Sequence, residues 1–94
     1  MATATIPYDP AEDLSDPGEQ AALLEEAFAS GDSKFIAVAL GAVARARGMK
    51  AVADQSGRSR QALYRALSED GDPQLSTLLS VVAALGYKLS LVAA

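Results

Sequence analysis

The sequence predicts a small all-α domain of five helices over residues 16–94, preceded by an extended arm over 1–15 and followed by a short β-strand over 87–92. Three observations carry the prediction. Apolar residues recur at helical spacing in several separate runs. Asp or Ser stands in front of most runs and Gly behind them, as helix caps require. The last residues then switch from a helical period to strict alternation. At 94 residues the chain makes one domain with a single modest core, because a chain this short buries only roughly 60 to 70% of its unfolded surface.

The arm, Met1 to Leu14, has no helical periodicity and carries Pro7 and Pro10, each of which bars its predecessor from helix. Thr3 to Tyr8 has the composition to add a strand to a sheet, in this chain or in another. Asp16-Pro17-Gly18-Glu19 then combines an N-cap Asp, a Pro at the first helical position and a Glu at the third, which starts a helix running to about Ser30. Leu23, Leu24, Ala27 and Phe28 form its apolar stripe, Glu19, Glu25 and Glu26 its wet side, and Gly31 its left-handed end. Asp32 caps a second helix from Ser33 to about Arg47. Its residues Phe35, Ile36, Val38, Ala39, Leu40 and Val43 cover more than one face, marking it as the central core helix. Arg45 and Arg47 in its last turn suit the helix dipole and the backbone of a nucleic acid.

Gly48 breaks that helix, and Met49 to Ser68 reads as a helix-turn-helix, with a scaffold helix over Met49–Ser56 and a recognition helix over Ser59–Leu67. Ala53 is small enough for two helix backbones to approach. Gly57 supplies the positive φ of a tight turn without a Cβ penalty. Leu63 and Leu67, four apart, fall on one face and face the core. Ser59 caps the second helix. Its outward face carries Arg60, Gln61, Tyr64 and Arg65, residue types that read bases and touch phosphates. The same pattern also describes a plain helical hairpin whose arginines only keep a surface hydrated. After a turn-rich loop at Ser68–Pro73, Leu75, Leu78, Leu79, Val82 and Leu85 predict an amphipathic fifth helix ended by Gly86. Tyr87, Leu89 and Leu91 then alternate on one side of the terminal strand, which has to pair with the arm, with its own copy in a dimer or with a partner's sheet edge.

The net charge of −4 hides two unlike halves. Residues 1–33 hold eight acids and no base, and residues 34–94 hold all eight bases and four acids, so the halves carry −8 and +4. Between Arg45 and Arg65 six bases face Asp54 alone. A basic footprint confined to one motif is what phosphate binding needs, because each neutralised phosphate releases condensed counterions. With neither Cys nor His in the chain, thiolate zinc sites, disulfides, a Cys nucleophile and a His general base are excluded. The acid pairs Glu25–Glu26 and Asp70–Asp72 fall on exposed or loop positions with no second domain to form a cleft. The chain is therefore not read as an enzyme, and neither metal nor cofactor is expected. No apolar run approaches the ~18 residues of a membrane span and no signal peptide opens the sequence, so the expected location is cytoplasmic, away from membranes.

From Gly48 to Leu85 the sequence resembles the Xre/Cro (lambda-repressor-like) group of helix-turn-helix domains. It is closest to the branch of probable addiction-module antidote proteins related to HigA antitoxins. The residues that carry the resemblance are Tyr8-Asp9-Pro10-Ala11-Glu12, Ala44 to Met49, Ser59-Arg60-Gln61-Ala62-Leu63-Tyr64 and the terminal Leu85-Gly86-Tyr87-Lys88-Leu89-Ser90-Leu91. One departure stands out. Many Xre domains open the scaffold helix with a Gln that grips phosphate, whereas Gly48 to Ala53 holds none and Lys50 is the cation available there.

The resemblance implies an antitoxin that binds and silences a small basic toxin of the RelE/ParE superfamily (HigB-like) and represses their shared operon. Carried onto this chain, Arg60, Gln61, Tyr64 and Arg65 would read the major groove of double-stranded operator DNA, with Arg58, Ser59, Lys50 and Arg47 on the backbone. The acidic half would face the toxin, with Ile6, Tyr8, Asp9, Glu12 and Leu14 as contacts, steered by complementary charge. Tyr87, Leu89 and Leu91 would serve a homodimer, since helix-turn-helix proteins commonly read paired half-sites about 34 Å apart. Two alternatives stand beside this reading: a stand-alone repressor without a toxin, and a protein-binding adaptor whose helix-turn-helix does not read DNA.

Overall fold

The computed structural model describes residues 14–94 of the chain, which form five helices. The first, α1, spans Pro17–Ser30. Pro17 stands at its start, the Asp16 carboxylate accepts from the Gly18 amide at 3.2 Å, and Gly31 closes it with φ 70°. Leu24 and Ala27 are buried, with Leu23 and Phe28 packed at the edge of the core, so the predicted stripe faces inward. Gln20 is buried with them, four residues before Leu24 on the same face.

Asp32 caps α2, Ser33–Arg47, by accepting from the amides of Lys34 at 3.0 Å and Phe35 at 3.4 Å. Ala37 and all residues from Ala39 to Ala44 are buried, which makes the middle of α2 the axis of the domain. Packed against it are α1, α3 (Met49–Ser56) and α4 (Arg60–Ala66). A fifth helix, α5 (Leu75–Ala84), packs on α3. Leu40, Val43, Leu63 and Val81 are the largest fully buried side chains, so α2, α4 and α5 meet in one core.

Gly41 permits one close approach within this core. A Cβ there would overlap the carbonyl oxygen of Leu67 just past α4. The carbonyl of a helix end therefore rests on bare backbone, and no side chain at position 41 could leave it there.

Two expectations are corrected. The α5 stripe is Leu78, Val81, Val82 and Leu85, while Leu75 and Leu79 are 67% and 46% exposed. Both sets fit a helical period, and only the direction from which α3 packs selects between them. The terminal strand over 87–92 does not form: among the described residues there is no strand. A single strand needs an edge to satisfy its backbone, and none is present among them. Instead the Gly86 amide donates to Ala83 O at 2.9 Å and the Tyr87 amide to Val82 O at 3.0 Å. This Schellman arrangement turns Tyr87 back against the core. Leu91 and Val92 beyond it are 99% and 90% exposed. No described helix is long and apolar enough to cross a membrane.

Candidate nucleic-acid interface

The α3–α4 pair is built around one carbonyl. Ala53 O accepts from both the Gly57 amide at 3.0 Å and the Arg58 amide at 3.2 Å, which ends α3 and reverses the chain. Gly57 sits at φ 73° and ψ 16°, a left-handed conformation that costs any residue with a Cβ roughly 1 to 2 kcal/mol. Two residues later Ser59 Oγ accepts from the Ala62 amide at 3.0 Å and starts α4. Leu63 is fully buried and Leu67 nearly so, which fixes the rotation of this short helix. Everything opposite them faces water: Arg60, Gln61, Tyr64 and Arg65 are exposed, Tyr64 to 51%. Arg58 is half-buried at the turn.

The structure thus brings Arg58, Ser59, Arg60, Gln61, Tyr64 and Arg65 onto one helix and its leading turn. No described residue forms an ion pair or hydrogen bond with the side chains of Arg58, Arg60 or Arg65. Beside this helix an open cleft of about 510 Å³ is lined by Arg58, Arg65, Asp70, Asp72 and Thr77, among others.

The other two candidate backbone contacts stand differently. Lys50 Nζ lies 3.3 Å from Asp54 Oδ2, one turn away on α3, in a pair whose side chains are both largely exposed. Water and salt screen such a pair. Arg47, although exposed, bonds within the chain: Nε donates to Gln20 Oε1 at 2.7 Å, Nη1 to Leu85 O at 2.8 Å and Nη2 to the Tyr87 hydroxyl at 3.5 Å. Its guanidinium carbon is 5.8 Å from the Tyr87 ring centre. Arg47 lies two helical turns beyond Leu40 and so shares its face, a signal that the sequence carried and that its charge masked. Gln20 was legible in the same way from its spacing to Leu24 and Ala27. Gly41, isolated inside a helical run, was the third unread mark.

The acidic residues lie elsewhere. Asp16, Glu19, Glu25 and Glu26 are exposed at or along α1, which packs on α2. Of the arm residues singled out from sequence, Ile6, Tyr8, Asp9 and Glu12 lie outside the described residues. Leu14 is buried in the core at 8% exposure, and its carbonyl accepts from Gln20 Nε2 at 2.6 Å. Among the terminal residues Tyr87 packs on the core, whereas Leu89 and Leu91 are exposed.

These features define a class: a small all-helical protein with an exposed basic helix and an acidic surface on a separate helix. The chain belongs to the family described as probable addiction module antidote protein, whose model matches residues 4–93. A protein of Haemophilus influenzae described as uncharacterised is 38% identical over 81 residues, covering 86% of this chain and 84% of that one. No solved structure matches. An antidote family implies a cognate toxin as partner.

Proposed function

We propose that this protein is the antitoxin of a type II module, that its toxin is a small basic protein of the RelE/ParE superfamily, and that it represses their operon through an Xre-type helix-turn-helix formed by α3 and α4. The observation that carries the DNA-binding half is the set of unpaired guanidinium groups on α4 and its leading turn. Arg58, Arg60 and Arg65 have no partner among the described residues, and Gln61 and Tyr64 stand exposed beside them. Among the described residues none of these cations is used in a pair, which leaves them for phosphates and base edges. The family supports the antitoxin half, and the acidic surface along α1 suits a basic partner. Ile6, Tyr8, Asp9 and Glu12 are the arm residues assigned to that partner. Lys50 is assigned to phosphate. The protein acts as a homodimer in the cytoplasm, with Leu89 and Leu91 at the contact between copies.

The test is co-expression with the tagged product of the small reading frame beside its gene, with growth and co-purification as readouts. Rescue of growth together with co-purification supports the antitoxin. Binding of upstream DNA without any interaction leaves a stand-alone repressor. Interaction without salt-dependent DNA affinity leaves a protein-binding adaptor.

A further inference from the structure

One buried side chain joins the root of the amino-terminal segment to the helix that leads into α3. Gln20 is 4% exposed, the one buried polar or charged residue among those described. Both ends of its amide are used: Nε2 donates to Leu14 O at 2.6 Å while Oε1 accepts from Arg47 Nε at 2.7 Å. Arg47 extends the chain of bonds to Leu85 O and to Tyr87. Only Gly48 separates Arg47 from α3, and α2 packs on both α3 and α4, so a tilt of the last turn of α2 shifts its contacts with that pair.

The physics of a buried amide makes this link two-ended. The group is rigid and planar, so moving one partner by an ångström spoils that bond unless the amide moves too, which spoils the other. Leaving one end unpaired away from water costs more than the made bond contributes.

We propose that Gln20 and Arg47 are positioning residues that couple the placement of Leu14 to the orientation of α3 and α4. Occupation of either end then biases the other, and by linkage the effect is reciprocal. This rests on the DNA-binding part of the proposed function.

Hydrogen exchange on the full-length protein tests it, with and without a duplex taken from directly upstream of its own gene. In the wild type the duplex slows exchange over residues 60–66 and also changes it about fivefold or more over 15–24, which lie outside the basic motif. Gln20→Leu keeps the first response and loses the second. Gln20→Glu retains an acceptor for Arg47 but cannot donate to Leu14 O, so it preserves the clasp at Tyr87 and still loses the response over 15–24. That second variant keeps the test intact should Gln20→Leu fail to fold. A wild-type response confined to 49–66 overturns the coupling, as does a response over 15–24 that survives in Gln20→Glu. Absence of any slowing over 60–66 refutes DNA binding itself, and the coupling falls with it.

Discussion

Gly41, in the middle of α2, lies so close to Leu67 that a methyl group on it would overlap the Leu67 carbonyl oxygen. The chain accepts a glycine in a helix interior at a cost of about 1 kcal/mol relative to alanine, and the end of α4 is seated there in return. Backbone cannot move aside as a flexible side chain does. Gly41→Ala is therefore expected to destabilise the protein by about 2 kcal/mol net, despite the better helix former. That corresponds to roughly 10 °C in the thermal midpoint. Gly18→Ala, whose Cβ would meet only the Asp16 side chain at 3.5 Å, is the control and is expected to be neutral or stabilising.

The turn at Gly57 makes a different demand, because here φ matters rather than space: nothing lies within 4 Å of a Cβ at this position. Gly57→Ala should cost roughly 1 to 2 kcal/mol, and Gly57→Asn less, since Asn tolerates the left-handed region. Urea unfolding of the two variants, with equal m-values, checks the order. Equal losses for both would assign the cost to something other than φ.

On α4 stability and binding should separate cleanly. Arg60→Ala and Arg65→Ala are expected to leave the thermal midpoint nearly unchanged, as exposed substitutions usually cost under about 0.5 kcal/mol. Each should weaken specific DNA binding by about 1 to 3 kcal/mol. Leu63→Ala, at a fully buried position, should instead lose about 2 to 5 kcal/mol of folding stability. Anisotropy titrations alongside thermal melts provide the comparison. Unchanged affinity in both arginine variants would favour the adaptor.

Asp54 holds Lys50 at 3.3 Å and places a carboxylate beside the basic motif. Removing it with Asp54→Ala should change stability by less than about 1 kcal/mol, the usual range for an exposed pair. DNA affinity should rise. Lys50→Ala, which takes away the phosphate contact itself, should make the slope of log K against log salt shallower by about 0.9. A salt titration reads this directly, and an unaltered slope would remove Lys50 from the DNA contact.

The terminal segment offers Leu91 at 99% exposure, whereas Tyr87 packs on the core and against Arg47. Leu91→Asp is expected to shift the protein toward monomer in sedimentation, with Tyr87→Phe leaving the association state as it was. A dimer indifferent to Leu91→Asp would move the contact elsewhere, to the exposed flank of α5 at Leu75 and Leu79.

Local chemistry made most of the helices readable. Asp16, Asp32 and Ser59 cap helices through bonds to amides two or three residues ahead, and Gly31, Gly57 and Gly86 end them with positive φ. Such interactions need nothing beyond the neighbouring residues, so the order of residues was enough to set where α1, α2 and α4 begin and where α1, α3 and α5 end, and that Leu63 and Leu67 face inward while Arg60, Gln61, Tyr64 and Arg65 face out. Contacts between residues far apart in the chain were the work of the tertiary structure. Packing settled that α5 turns Val81 rather than Leu79 to the core and that Leu14 is buried, and residues 87–92 meet no strand among the described residues. It also drew Arg47 away from the basic face to meet Gln20, 27 residues earlier, and Leu85, 38 residues later. The reason is that a helical period fixes which residues share a face, while the direction from which a neighbour packs fixes which face is buried.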